Sequence, residues 1–211
     1  MPNSKFIIYV HGIKDSSLMF APMRRFFEDK GYITLALDLE PNGGEVSLAH
    51  SAEQLRKFID ERLPVGQKFD LIGFSMGGII SRYYVQRLGG NKRVNNLVLI
   101  SAPNHGTLWA YFTTKINLGE GVKEMRPDSK FLKNLNKTLA EDLKNVRCLS
   151  LWTVFDLMIV PFWSSRLRTG GNGTGIRKNA IQNKITLTLA HPLMVLSKKV
   201  WKSILFFLER S

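Results

Sequence analysis

Gly73-Phe74-Ser75-Met76-Gly77 is the segment that leaves this chain the fewest folding options. It stands directly after the apolar run Phe69-Asp70-Leu71-Ile72 and before a helix-like stretch that reaches about residue 88. A strand that turns into a helix at a single residue forces that residue into a strained backbone. Side chains two positions before and after it would collide. Gly73 and Gly77 meet that demand, and Gly78 lets the new helix approach the strand closely. Such a turn exposes the Ser75 hydroxyl at the strand end, over a helix N-terminus that favours negative charge. The plainer alternative is a tight turn with a capping serine. The pattern is short, and its placement between strand and helix carries the argument.

The neighbouring segments repeat the same rhythm. Phe6-Ile7-Ile8-Tyr9-Val10 reads as a strand buried on both faces, followed by a helix over residues 18–30. Ile33-Thr34-Leu35-Ala36-Leu37 is a second strand, and Ser47 starts a helix with Leu48, Leu55, Phe58, Ile59 and Leu63 on one face. The strand before Ser75 is the third, and Asn96-Leu97-Val98-Leu99-Ile100 is the fourth. A fifth is expected within residues 146–154, a sixth over 185–190, and a last helix from Pro192. Strands alternating with helices predict an α/β chain of about six mostly parallel strands, in one domain over residues 1–211. Residues 105–145 break the rhythm and are expected to form a helical cap or lid insertion.

Composition narrows the classes. With 44% hydrophobic and 22% charged residues the chain is globular rather than disordered. The single cysteine, Cys148, lies in an apolar run and reads as a buried thiol, and no His/Cys cluster suggests a metal. No cofactor is expected. The longest apolar stretch, residues 149–163, is too short to span a bilayer and contains Asp156. With no signal-peptide pattern visible in the sequence, the expected location is cytoplasmic, with a peripheral place at the membrane as its variant. The net charge of +13 is uneven, since Glu209 is the only acid after residue 156. That surface would attract anionic lipid or an acidic partner, with a merely solvated basic surface as the plainer alternative; nucleic acid is the weaker choice because no nucleic-acid motif accompanies the charge.

Phe6-Ile7-Ile8-Tyr9-Val10-His11-Gly12-Ile13 and Gly73-Phe74-Ser75-Met76-Gly77-Gly78 resemble the α/β-hydrolase superfamily, in particular bacterial class 2 triacylglycerol lipases and GPI inositol-deacylase-like esterases. The likeness continues through Ser101-Ala102-Pro103-Asn104-His105-Gly106-Thr107, Met125-Arg126-Pro127, Asp156-Leu157-Met158-Ile159-Val160-Pro161 and His191. It implies a serine carboxylester hydrolase with an acyl-enzyme intermediate and the chain order Ser, Asp, His. Of the four histidines, His11 and His50 precede Ser75, and His105 follows the fourth strand too early for an acid to intervene. His191 stands where the resemblance implies the base. Asp128 and Asp142 lie in the expected cap, whereas Asp156 sits in an apolar run where a carboxylate needs a partner. The resemblance further implies an oxyanion hole from the backbone N–H groups of Ile13 and Met76, and His11 is expected to hold its loop rather than react.

Phe74, Trp109 and Ile159, with Ile13 and Met76, are expected to line an acyl pocket, and the cap adds Leu108, Tyr111 and Phe112. An apolar lining suits an ester or lipid substrate. The same three residues would also serve an acyltransferase or thioesterase. An idle fold acting as a membrane- or protein-binding module is a further reading, against which the intact Ser75, Asp156 and His191 set speaks.

Overall fold

The computed structural model describes residues 5–112, 119–168 and 181–210. Six strands, β1 (Lys5–Val10), β2 (Tyr32–Leu37), β3 (Phe69–Phe74), β4 (Val94–Ile100), β5 (Arg147–Thr153) and β6 (Ile181–Thr186), form one sheet. Their order is β2-β1-β3-β4-β5-β6, and every pairing is parallel. The chain reverses direction across the sheet between β2 and β3, so the loops after β1 and β3 meet where the strand order switches.

Strand alternation explains why the central strands read as unbroken apolar runs. Ile8, Val10, Leu71, Leu97 and Leu99 face the helices α2 (Leu48–Arg62) and α3 (Met76–Arg87). Ile7, Tyr9, Ile72, Val98 and Ile100 face the opposite layer, built from α1 (Ala21–Glu28) and α9 (Lys198–Glu209). The Ser47 hydroxyl accepts the His50 N–H and so caps α2.

Between β4 and β5 the described residues form α4 (Trp109–Phe112), α5 (Glu120–Glu124), α6 (Lys130–Lys137) and α7 (Leu139–Asp142). Part of the expected cap, residues 113–118, lies outside the described residues. Leu132, Leu135, Leu139 and Leu143 are buried in the same core as α2 and α3. That part of the insertion therefore thickens one helical layer.

Three expectations shift. The helix expected over 18–30 is a 3-10 turn, Ser17–Phe20, followed by α1, whose Pro22 sits in the first turn. The sixth strand runs over Ile181–Thr186 instead of 185–190, because it pairs with β5 from Cys148↔Ile181 to Thr153↔Thr186 and has no strand to follow beyond. The last helix divides into α8 (Leu193–Leu196) and α9 at Ser197, whose ψ of 114° is extended. Leu193 and Leu196 consequently face outward, while Met194 and Val195 are buried.

Candidate active site

Ser75 has φ 52° and ψ −124°, a left-handed conformation unusual for a residue with a Cβ. Its N–H donates to the Ile100 carbonyl at 2.9 Å, which ties the turn to β4. A Cβ on Gly73 would meet the Gly77 oxygen at 2.6 Å and the Ser81 Oγ at 2.7 Å. On Gly77 it would overlap the carbonyl oxygens of Val10 and His11, and on Gly78 it would meet the Ala102 Cβ at 2.5 Å. The three glycines thus let α3 press on the ends of β1 and β4, which brings Met76 close to the loop after β1.

That loop is fastened at both sides. His11 is fully buried; its Nδ1–H donates to the Gly12 oxygen at 2.8 Å and its Nε2 accepts the Leu39 N–H at 3.0 Å. Lys14 N–H donates to the Asn42 oxygen at 2.8 Å, and the Asn42 side chain donates to the Asp15 oxygen at 2.8 Å. Both ring nitrogens of His11 are occupied, in keeping with a structural part in the loop. Among the described residues the N–H groups of Ile13 and Met76 have no intramolecular partner.

Asp156 follows β5 and His191 follows β6, the next strand in the sheet. The His191 Nδ1–H donates to both carboxylate oxygens, at 2.9 and 2.8 Å, with both residues buried. Asp156 Oδ1 also accepts the N–H groups of Met158 (3.0 Å) and Ile159 (2.9 Å). The Asp-x-x-Ile turn therefore solvates its own carboxylate with backbone dipoles, which answers the cost of burying it. The Phe74 ring, next to Ser75, lies against the His191 ring with centroids 4.8 Å apart. Ser75, Asp156 and His191 thus gather at the carboxyl end of the sheet. Asp128 stands apart, exposed and bonded to the Tyr111 hydroxyl at 2.5 Å, and Asp142 pairs with Arg87 at 2.5 Å.

A family model described as alpha/beta hydrolase fold matches residues 5–200. The chain belongs to that family. Solved structures similar to this chain agree with the architecture. A lipase of Bacillus licheniformis in its mature form has a TM-score of 0.70 at 17% identity, covering 99% of this chain and 93% of that one. A Listeria innocua gene product gives 0.72 at 18%, covering 99% and 95%. A monoacylglycerol lipase of Paleococcus ferrophilus gives 0.69 at 15%, covering 98% and 95%. At such identities the likeness is one of fold.

Within this hydrolase the expected acyl lining divides. Phe74, Met76 and Ile159 are buried, while Ile13 and Trp109 keep open surface. The start of the insertion adjoins the Asp156 turn: the Thr107 hydroxyl donates to the Met158 oxygen at 2.8 Å and accepts the Val160 N–H at 3.0 Å. No group of three or more His, Cys, Asp or Glu among the described residues could hold a metal ion.

Two residues escaped the sequence reading. Asp15 is half-buried, and its carboxylate lies 3.3 Å from where a Gly12 Cβ would stand, with the Ser75 Cβ 3.1 Å from the same point. Burial pushes the Asp15 carboxyl up, while the nearby His11 and His191 pull it down. Arg82 is fully buried on α3 with no carboxylate partner among the described residues. Its guanidinium donates to Asn104 Oδ1 (3.1 Å), Asn136 Oδ1 (2.7 Å) and Gln86 Oε1 (3.3 Å), and burial lowers its pKa to about 9. His105 beside this network is pushed down by burial first, then by Arg82 and Arg168. A charged pair of neighbours in sequence, such as Lys14-Asp15, signals neither position.

Proposed function

We propose that this α/β hydrolase is a serine carboxylester hydrolase acting on hydrophobic acyl esters, with Ser75 as nucleophile, His191 as general base and Asp156 as the acid that orients it. The observation that carries the reading is the two-pronged Asp156–His191 hydrogen bond at the same strand ends as the strained Ser75. With Nδ1–H committed to Asp156, the lone pair of His191 is on Nε2, the tautomer a base needs. Attack of Ser75 Oγ on the ester carbonyl, with its proton passing to His191, gives a tetrahedral intermediate. The N–H groups of Ile13 and Met76 would stabilise its oxyanion. Return of the proton expels the alcohol, and water repeats the sequence to release the acid. Residues 107–112 are the part of the insertion we assign to the rim of the acyl site, since they bond to the turn that holds Asp156.

A series of p-nitrophenyl esters of increasing chain length tests this. The wild type should show a p-nitrophenol burst, the mark of an accumulating acyl-enzyme, and Ser75→Ala should lose turnover entirely. Asp156→Asn should drop kcat by about 10⁴ because the imidazole adopts the wrong tautomer, whereas Asp128→Asn should change it less than about threefold. Equal rates in wild type and Ser75→Ala would end the proposal.

A further inference from the structure

Large apolar side chains stand in water around the loops after β5 and β6. Leu157, Leu187 and Leu189 are 84%, 78% and 72% exposed, and Leu196 at the end of α8 is half exposed. All four follow the carboxyl ends of β5 and β6, neighbouring strands of the sheet. The Thr153 hydroxyl donates to the Thr188 oxygen at 2.6 Å, so Leu187 and Leu189 flank a residue that is held against the end of β5. Leu157 follows in the next turn of that same β5 loop, and α8 begins two residues after His191. An apolar rim of this extent is costly in solution and marks a surface that something covers.

The charge beside it says what. Lys198, Lys199 and Lys202 open α9 directly after Leu196 and are exposed, with no acid in the first turn of that helix. Cations at a helix N-terminus oppose its dipole, so this placement raises the local positive potential instead of relieving it. No acidic residue lies between Asp156 and Glu209, and Glu209 ends α9 at the amino end of the sheet, beside Lys5 and Tyr32. Exposed leucines with lysines following them match the two layers of a bilayer surface, acyl chains below and anionic headgroups above.

We propose that the face formed by Leu157, Leu187, Leu189 and Leu196 with Lys198, Lys199 and Lys202 docks on an anionic lipid bilayer, turning the mouth of the Ser75 site toward the membrane. The docking stands on the surface alone; the consequence, delivery of ester from the bilayer, rests on the hydrolase reading. The apolar chains would enter the headgroup region while the lysines pair with phosphates, each element reinforcing the other.

Co-sedimentation of the full chain with vesicles tests it, using phosphatidylcholine alone and phosphatidylcholine mixed with phosphatidylglycerol, at low and high salt. Binding should favour the anionic vesicles by about tenfold and fall with salt. Leu187→Ser with Leu196→Ser, and separately Lys198→Glu with Lys199→Glu, should each weaken it about tenfold. Both double variants should keep the wild-type rate on a short soluble ester, which reports an intact fold. Absence of vesicle binding, or binding untouched by both double variants, overturns the docking. So does a dimer seen by light scattering that the leucine variants abolish and vesicles do not displace, for then a second copy covers the face. Vesicle binding as expected in a chain with no Ser75-dependent esterase rate would sink the hydrolase reading and leave the docking standing.

Discussion

Ser75 and Gly77 illustrate how much one turn can demand of single residues. The serine tolerates a left-handed backbone, and the glycine has no room for any side chain beside the Val10 and His11 carbonyls. Gly77→Ala should therefore destabilise the chain by about 3 kcal/mol or prevent folding, read from the urea midpoint or the soluble yield. Gly31→Ala serves as a contrast, since nothing stands within 4 Å of its Cβ position and only its φ of 82° is strained; it should cost about 1 kcal/mol. Asp15 has the opposite character, a carboxylate held near Ser75 and His191 without a bonded partner among the described residues. At this scale the glycines and Ser75 were legible because backbone geometry admits few residue types there. Asp15 was not, because its meaning depends on which loops face it.

At the level of elements, α3 does two things at once. Its first turn carries Ser75 at the N-cap, and its middle carries Arg82 into the layer formed with α6 and the residues after β4. Arg82 bridges Asn104 and Asn136, so it fastens the insertion to the helix that begins at the nucleophile turn. Arg82→Met would leave both amides short of a partner in a dry site and should cost about 3 kcal/mol, with limited proteolysis appearing first within residues 105–145. Clean two-state unfolding with no early cleavage there would argue against this anchoring role. The order of strands and helices could be read from hydrophobic periodicity, since buried parallel strands leave apolar runs. The break at Ser197 and the end of β6 at Thr186 could not. Both depend on where a neighbouring element stops supplying partners, and the apolar pattern of Ile185, Leu187 and Leu189 continues regardless.

Across the whole molecule the two ends of the sheet differ in electrostatic character. At the amino end Asp70 is buried, bonded to the Asn96 side chain at 2.6 Å, and pushed up by burial to about 6. An acid whose folded-state pKa is raised binds its proton more tightly when folded. Its contribution is therefore full below the unfolded carboxylate range and is lost as pH rises through 6. Stability should fall by up to about 3 kcal/mol between pH 4 and pH 7, and Asp70→Asn should flatten that slope in urea titrations across this range. At the carboxyl end stand the catalytic candidates and the leucine rim, and no helix among the described residues is long and apolar enough to cross a membrane. Sequence alone determined the parallel α/β architecture and the strand-to-helix turn at Ser75, because the hydrophobic period and the backbone of a tight turn are local properties. It also supplied Asp156 and His191 through chain order and family resemblance. Only the tertiary structure decided that these two meet through one imidazole and two carboxylate oxygens, that Arg82 is buried, and that the leucines after β6 face water. Those outcomes are set by which loops converge, and convergence is a property of the packed sheet that no stretch of sequence contains.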